Sequence, residues 1–256
     1  MAKVKTLILR APGTNCDLET AFAFEQAGSI VESAHINELI LREKMLSNYQ
    51  IMVIPGGFTY GDDISGGKIL ANELRLKLEE DVRMFVDDGR LILGICNGFQ
   101  VLLKAGILPG LIGENSQPLT LARNESGKFE CRWVYLRVNE TSPCIFTRGI
   151  STMYLPVAHG EGKVVTESGI VDELNIVLYY ADETGNIRAG YPHNPNGSVN
   201  NIAGICDASG RIFALMPHPE RFVRWTQHPR WTREPMRNDR DGLQIFINAV
   251  EWVKTI

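Results

Sequence analysis

Cysteine is scarce in this 256-residue chain and badly placed for pairing: five residues, at 16, 96, 131, 144 and 206, with no Cys-x-x-Cys among them. An odd, scattered set argues against a disulfide framework and predicts a reducing, cytosolic setting. Positive charge is also short. With 26 Lys and Arg against 30 Asp and Glu, the formal charge is −4, which gives no electrostatic footing for nucleic acid or an anionic membrane. No apolar run approaches the roughly 18 residues of a membrane span. The start, Met1-Ala2-Lys3-Val4-Lys5, leads directly into a strand-like run and has no signal-peptide pattern. The phosphate loop Gly-x-x-x-x-Gly-Lys-Ser/Thr and the fingerprint Gly-x-Gly-x-x-Gly are missing too, so the chain is expected to bind no ATP itself. Neither repeat, low-complexity tract nor flexible linker divides it. One domain over 1–256 is expected, with a longer C-terminal loop and helix at about 222–256.

What is present is an alternation of strand and helix. Strands are predicted at Val4–Leu9, Ile30–Ala34, Ile51–Ile54 and from Leu91. Between them run a helix capped by Asn15 or Asp17 and stopped at Gly28, and helical patterns over about 64–88. This order predicts an α/β fold: an open, mainly parallel twisted sheet flanked by helices, with ligands at the carboxyl ends of the strands. After Leu119 the texture changes to short strands and Gly/Asn turns, so antiparallel additions are expected in the second half. They include a hairpin over 202–216, before a polar loop and a closing helix at Leu243–Val253.

Gly94-Ile95-Cys96-Asn97-Gly98 lies where the apolar strand Leu91-Ile92-Leu93 gives way to a helical pattern ending at Gly106. A cysteine at such a turn, with glycine two residues away on each side, has the pattern of a nucleophile elbow. The turn demands strained backbone and close contacts that a Cβ would obstruct, and the helix N-terminus favours a thiolate. A nucleophile needs a base. His218 follows another apolar strand and is held between Pro217 and Pro219, and Glu220 can orient it, which gives a Cys-His-Glu set in chain order. His218-Pro219-Glu220 also has the His-x-Glu spacing of zinc deaminases, but no Pro-Cys-x-x-Cys follows, so no metal is expected.

Gly-Ile-Cys-Asn-Gly-Phe-Gln at 94–100, Pro-Gly-Gly-Phe at 55–58 and Met-Pro-His-Pro-Glu-Arg at 216–221 resemble the class I, triad-type glutamine amidotransferases. Pro-Gly-Thr-Asn-Cys-Asp at 12–17, Tyr-Gly-Asp at 60–62, His-Gly-Glu-Gly at 159–162 and Asn-Pro-Asn-Gly-Ser at 194–198 narrow the likeness. Together they resemble the glutaminase subunits of phosphoribosylformylglycinamidine synthases. The resemblance implies that Cys96 attacks the side-chain amide of L-glutamine, with His218 as base and acid and Glu220 orienting it. It also implies an oxyanion hole from the backbone N–H groups of Gly57 and Asn97, and substrate contacts from Gln100, Gly56 and Phe58. Ammonia would then pass to a synthetase subunit carrying ATP and Mg, in an assembly with a small bridging subunit and in the purine pathway. The stretch after Arg221 is longer than a compact standalone subunit of this kind, and looks more like the glutaminase end of the fused synthases.

Other readings fit the same residues: an amidotransferase serving another acceptor, a cysteine hydrolase of the related peptidase type, or a non-catalytic assembly subunit. Cys131, Cys144 and Cys206 are expected to be packing residues, and Cys16 structural. For His159 and His193 turn or interface roles are preferred over lining the mouth of the site, and His35 and His228 are assigned to the surface or half-buried positions. The turn at 194–198 and the charged loop around 230–241 carry no assigned chemistry.

Overall fold

Apolar runs without polar alternation must be covered on both faces, and here they form the middle of the sheet. In the computed structural model, which describes residues 3–110, 118–167, 169–235 and 241–256, β1 (Lys5–Arg10), β3 (Ile51–Ile54) and β4 (Leu91–Ile95) are such strands. β2 (Ile30–His35) pairs parallel to β1 at the sheet edge. Linking them are α1 (Asp17–Gln26), α2 (Ile36–Ile40), α3 (Lys68–Lys77) and α4 (Glu79–Asp87), and α5 (Asn97–Lys104) follows β4.

Two local expectations change. The helical stretch over 64–88 is two helices, broken at buried Leu78, where φ −129° and ψ 15° end the ladder. Neither Asn15 nor Asp17 caps α1. Cys16 is its N-cap, without a side-chain cap bond, and Asp17 instead pairs with Arg10 at 2.7 Å.

The second half supplies β5 (Leu119–Arg123), β6 (Glu130–Val138), β7 (Thr152–His159), β8 (Glu161–Thr166), β9 (Asn175–Ala181), β10 (Ile202–Cys206) and β11 (Ile212–Leu215), then α6 (Asp241–Val253). The main sheet has the order β2-β1-β3-β4-β11-β10-β9-β6-β7, and β5 pairs with β8 apart from it. The run from β2 to β11 is parallel; from β11 onward every pairing is antiparallel. The expected hairpin is β10 and β11, with Gly204 opposite Leu215.

This antiparallel half curls. β7 is five places from β4 in the sheet order, yet Cys96 Sγ lies 3.8 Å from the Ala158 carbonyl at the end of β7. His218, just past β11, donates its backbone N–H to Pro156 O of β7 at 2.8 Å. The far edge thus returns over the carboxyl ends of β4 and β11. Below it, the segment after Arg221 packs inward: Trp225 is buried and His228 is buried and stacked on it, centroids 4.7 Å apart at 9°. That corrects the surface or half-buried placement of His228, because the ring completes an aromatic cluster with Trp133, Tyr154 and Phe222. Residues 236–240 of the charged loop lie outside the described residues.

Candidate active site

Cys96 sits between β4 and α5 with φ 51° and ψ −103°, a backbone state that side-chain-bearing residues rarely adopt. Its neighbours make that turn possible. A Cβ on Gly98 would stand 1.9 Å from the Ile54 carbonyl oxygen, and one on Gly94 would stand 2.6 Å from the Leu102 side chain. The strand-to-helix turn is therefore pressed against β3 with no space for a methyl group. The side chain is presented at the carboxyl end of β4, with the residue 6% exposed.

His218 and Glu220 follow β11, the strand beside β4. Both are buried, and His218 Nδ1 lies 2.6 Å from Glu220 Oε1. Burial opposes charge on the imidazole, but the Glu220 carboxylate and then the Cys96 sulfur outweigh it and hold its pKa well above the ordinary histidine value. Nε2 is buried and, among the described residues, has no hydrogen-bond partner. A Nδ1–H donated to Glu220 leaves that nitrogen as the group that can exchange a proton with Cys96.

The loop after β3 approaches from the other side. Gly57 has φ 146°, and a Cβ there would come within 2.8 Å of Asn15 N and Gly13 O. Thr14 and Gly57 face each other across a bridge whose hydrogen bonds belong to their neighbours: Phe58 N–H to Gly13 O at 3.0 Å and Asn15 N–H to Gly56 O at 3.4 Å. Cys16 N–H also donates to Gly56 O, at 3.2 Å. The Gly56 carbonyl thus points toward the loop after β1. In a trans peptide the Gly57 N–H points the opposite way, toward the β4 side where Cys96 lies.

Asn97 is tied down by its side chain. Its Oδ1 accepts from the Thr59 backbone N–H at 3.2 Å and hydroxyl at 2.7 Å; its Nδ2 donates to Asp62 Oδ1 at 3.0 Å and Gln100 Oε1 at 2.7 Å. These bonds fix the first residue of α5, whose backbone N–H is the one next to the sulfur.

Residues 3–253 match the CobB/CobQ-like glutamine amidotransferase domain. The chain belongs to this family. It is 58% identical over 100% of both chains to the phosphoribosylformylglycinamidine synthase subunit PurQ of Dehalococcoides mccartyi. The PurQ subunit of Methanococcus maripaludis strain S2 is 43% identical over 97% of both chains. Among solved structures, PurLQS from Thermotoga maritima matches with a TM-score of 0.76 and 31% identity over 98% of this chain and 100% of that one.

Within this amidotransferase the residues singled out in sequence come together from three strand ends: Cys96, Asn97 and Gln100 after β4, Gly56 and Gly57 after β3, His218 and Glu220 after β11. Gln100 is buried, and its amide is bonded at both ends, Oε1 accepting from Asn97 Nδ2 at 2.7 Å and Nε2 donating to Glu161 O at 2.8 Å. Phe58 is 45% exposed, its ring 6.5 Å from that of Phe129.

Two further residues lie near the site, Cys16 and His159, marked in sequence only as members of the 12–17 and 159–162 stretches. Cys16 is buried, with Sγ 4.0 Å from His218 Nδ1, and receives a hydrogen bond from Arg221 Nη2 at 3.1 Å. Burial pushes its thiol pKa up, against the pull of His218. Donor atoms of Cys16, His218 and Glu220 lie within 4.8 Å of one another, types that zinc accepts. A cation there would have to displace the Nδ1 proton and sit against the Arg221 guanidinium, so the set behaves as a hydrogen-bonded cluster.

His159 is neither an open turn nor an interface residue. It is buried at the end of β7, with burial and then His218 pushing its pKa down to about 3. Asn124 sets its tautomer. The Asn124 amide donates to Lys128 O and His159 O, so Oδ1 is an acceptor, 3.1 Å from His159 Nδ1, which must carry the hydrogen. His193 is half-buried in a turn, donating its N–H to Gly190 O, and His35 is half-buried, accepting from Asn37 N at the start of α2. Cys144 and Cys206 are buried as expected, but Cys131 is exposed, because the alternation of β6 turns it outward.

Proposed function

We propose that this chain hydrolyses the side-chain amide of L-glutamine to glutamate and ammonia at Cys96. The ammonia goes to a synthetase that makes formylglycinamidine ribonucleotide from formylglycinamide ribonucleotide with ATP. The observation that carries the chemistry is the buried His218–Glu220 pair at 2.6 Å, on an imidazole that feels the charge of a Cys96 sulfur held at a strained strand-to-helix turn.

The Cys96 sulfur attacks the amide carbon as its proton passes to His218 Nε2. That proton is then given to the departing nitrogen, releasing ammonia and leaving a glutamyl thioester. Water, deprotonated by the same nitrogen, attacks the thioester; glutamate leaves and the thiol is restored. Glu220 keeps Nδ1 protonated throughout. Negative charge on oxygen in each tetrahedral intermediate is met by the N–H groups of Asn97 and Gly57, each donor being worth about 3–4 kcal/mol of transition-state stabilisation. Gly56 and Phe58 border the bound glutamine, and Gln100 serves it by holding Asn97.

The relatives called phosphoribosylformylglycinamidine synthase subunit, and the solved structure called PurLQS, support reading the chain as one part of an assembly. Its partners are then the synthetase, which holds ATP and Mg, and a small bridging subunit. Replacing Cys96 by Ala while the assembly is intact tests this. Glutamine-dependent synthesis should fall by about four orders of magnitude or more, while synthesis from added ammonium continues. Retained glutamine-dependent activity refutes Cys96 as nucleophile; loss of both activities refutes the division of labour.

A further inference from the structure

The reaction at Cys96 leaves Tyr60-Gly61-Asp62 without a task. The segment 59–67, which leads from the loop after β3 into α3, runs on an unfavourable backbone: Tyr60, Asp62 and Ile64 carry side chains at left-handed φ of 55°, 54° and 72°. Such conformations persist where surrounding contacts over-determine them, and here those contacts are with α5. Thr59 and Asp62 bond the side chain of Asn97, the first residue of that helix. Further along, a Cβ on Gly66 would stand 2.5 Å from Gln100 Oε1 and one on Gly67 2.7 Å from Val101 Cγ2. Lys104, the last residue of α5, donates from Nζ to Ser65 Oγ at 3.1 Å and to Gly66 O. The segment is a strap laid along the whole helix.

At Asn97 the strap holds the buried side-chain amide by both ends. The Thr59 backbone N–H, at 3.2 Å, can only donate, so the atom it meets is Oδ1, and Nδ2 lies on the other side, donating to Asp62 Oδ1 at 3.0 Å. Asp62 Oδ1 is steadied in turn by the Gly67 backbone N–H at 3.3 Å. A hydrogen bond to a carboxylate belongs to the stronger, charge-assisted class. The backbone N–H of this same residue is the oxyanion donor beside the sulfur. Such a donor works only within about 2.7–3.1 Å of the developing charge. A misplacement of about 1 Å can cost on the order of 10²-fold in rate.

We propose that Asp62 is a positioning residue for the oxyanion hole: its carboxylate, through the Asn97 side chain, fixes the direction of the Asn97 backbone N–H. The left-handed backbone at 62 is kept because it places that carboxylate. Asp62 touches no reacting atom and acts only through Asn97. The inference rests on glutamine hydrolysis at Cys96 with Asn97 as an oxyanion donor.

The test measures kcat and KM for glutamine hydrolysis in the intact assembly. Asp62→Gly removes the carboxylate while suiting the φ of 54°, so a loss cannot come from backbone strain at 62. With this change kcat should fall about tenfold or more while KM stays within about twofold. Asp62→Asn keeps an acceptor oxygen for Asn97 Nδ2 and tolerates a left-handed φ, and should bring kcat back to within about threefold of the parent. Alkylation of Cys96 by iodoacetamide displaces iodide and forms no oxyanion. Read by mass on the peptide that contains Cys96, it should keep the parent rate in both. If Asp62→Gly does not fold, Thr59→Val decides: it removes one of the two Thr59 bonds to Asn97 Oδ1 at nearly constant shape, and should lower kcat about threefold with KM kept. A parent-like kcat in Asp62→Gly (or, in its place, in Thr59→Val) overturns the proposal. So does a rise in KM that accounts for the loss, no recovery in Asp62→Asn, or alkylation that slows in step with kcat. Separately, glutamine hydrolysis retained in Cys96→Ala overturns the nucleophile reading itself, and the role of Asp62 with it.

Discussion

The two halves of the sheet build one site by different means. In the parallel half, the elbow and the facing loop are set chiefly by backbone against backbone, with the Asn97 side chain added: Gly98 lies under the Ile54 carbonyl, Gly57 against Gly13 and Asn15, and the Gly56 carbonyl between two N–H groups of the loop after β1. In the antiparallel half, position is set by side-chain amides and hydroxyls. Asn124 ties Lys128, His159 and Gly162 together, and Asn196 and Ser198 tie Gly162 to Tyr180. A steric arrangement admits almost no change, whereas a hydrogen-bonded one loses a bounded amount per bond. The reacting atoms are therefore held by the stiffer half, and their surroundings by the softer one.

Gly98→Ala is the most severe way to break this contrast. A methyl group 1.9 Å from the Ile54 oxygen forces α5 off β3, and a destabilisation of about 3 kcal/mol or more is expected in urea unfolding, with glutaminase activity lost. A variant that unfolds like the parent would show that the elbow has slack. Asn124→Ala is the counterpart in the other half. It removes four hydrogen bonds, three of them between buried groups, and about 2–3 kcal/mol should be lost. Alkylation of Cys96 should survive that change, because none of those bonds belongs to the elbow; loss of its reactivity would mean that the halves are not separable.

The same division decides what could be read from sequence. Glycines in a steric turn leave a local mark, so Gly94-x-Cys96-x-Gly98 and Pro55-Gly56-Gly57 pointed to the elbow and the facing loop, and apolar runs gave β1, β3 and β4. Tyr180 left no comparable mark, and His159 was marked only as the first residue of the 159–162 stretch, without a partner or a role. A buried tyrosine in an apolar strand looks like packing, and its hydrogen-bond partner, Asn196, lies 16 positions on in the turn after β9. The Asn194–Ser198 segment was legible as a turn, but its chemistry lies in bonds to Gly162 and Tyr180, distant in sequence. Cys16 was obscured in the same way, since its neighbours His218 and Arg221 lie more than 200 positions away. His228 and Cys131 were misplaced because burial on a loop and outward alternation on a strand depend on what covers them.

Titration offers a milder probe of the antiparallel half. His159 has a pKa of about 3 in the folded chain against about 6.5 when unfolded. Below pH 6.5 the unfolded state binds the extra proton, so stability is lost as pH falls toward the folded value, at up to about 1.4 kcal/mol per unit. His218 acts on the other limb: its raised pKa contributes stability below pH 6.5 that is lost as pH rises through its folded value. Urea midpoints across pH 4–9 should therefore fall on both sides, and His159→Gln should flatten only the acid side. An acid limb unchanged by that substitution would remove His159 as its cause.

The smallest effect is expected at Gly190, in the loop between β9 and β10. No atom lies within 4 Å of where its Cβ would stand, and its φ is not in the left-handed region. Its carbonyl accepts the N–H groups of His193 at 2.9 Å and Asn194 at 3.2 Å, bonds that alanine keeps. Gly190→Ala should shift stability by no more than about 0.5 kcal/mol, with a gain as reasonable as a loss because the unfolded chain is restrained. The substitution matters because the turn leads directly into Asn194 and Asn196. A cost well above 1 kcal/mol in urea unfolding would mean that this approach to Tyr180 is as sterically strict as the elbow, and the contrast between the two halves would then fail at the loop where it predicts the most tolerance.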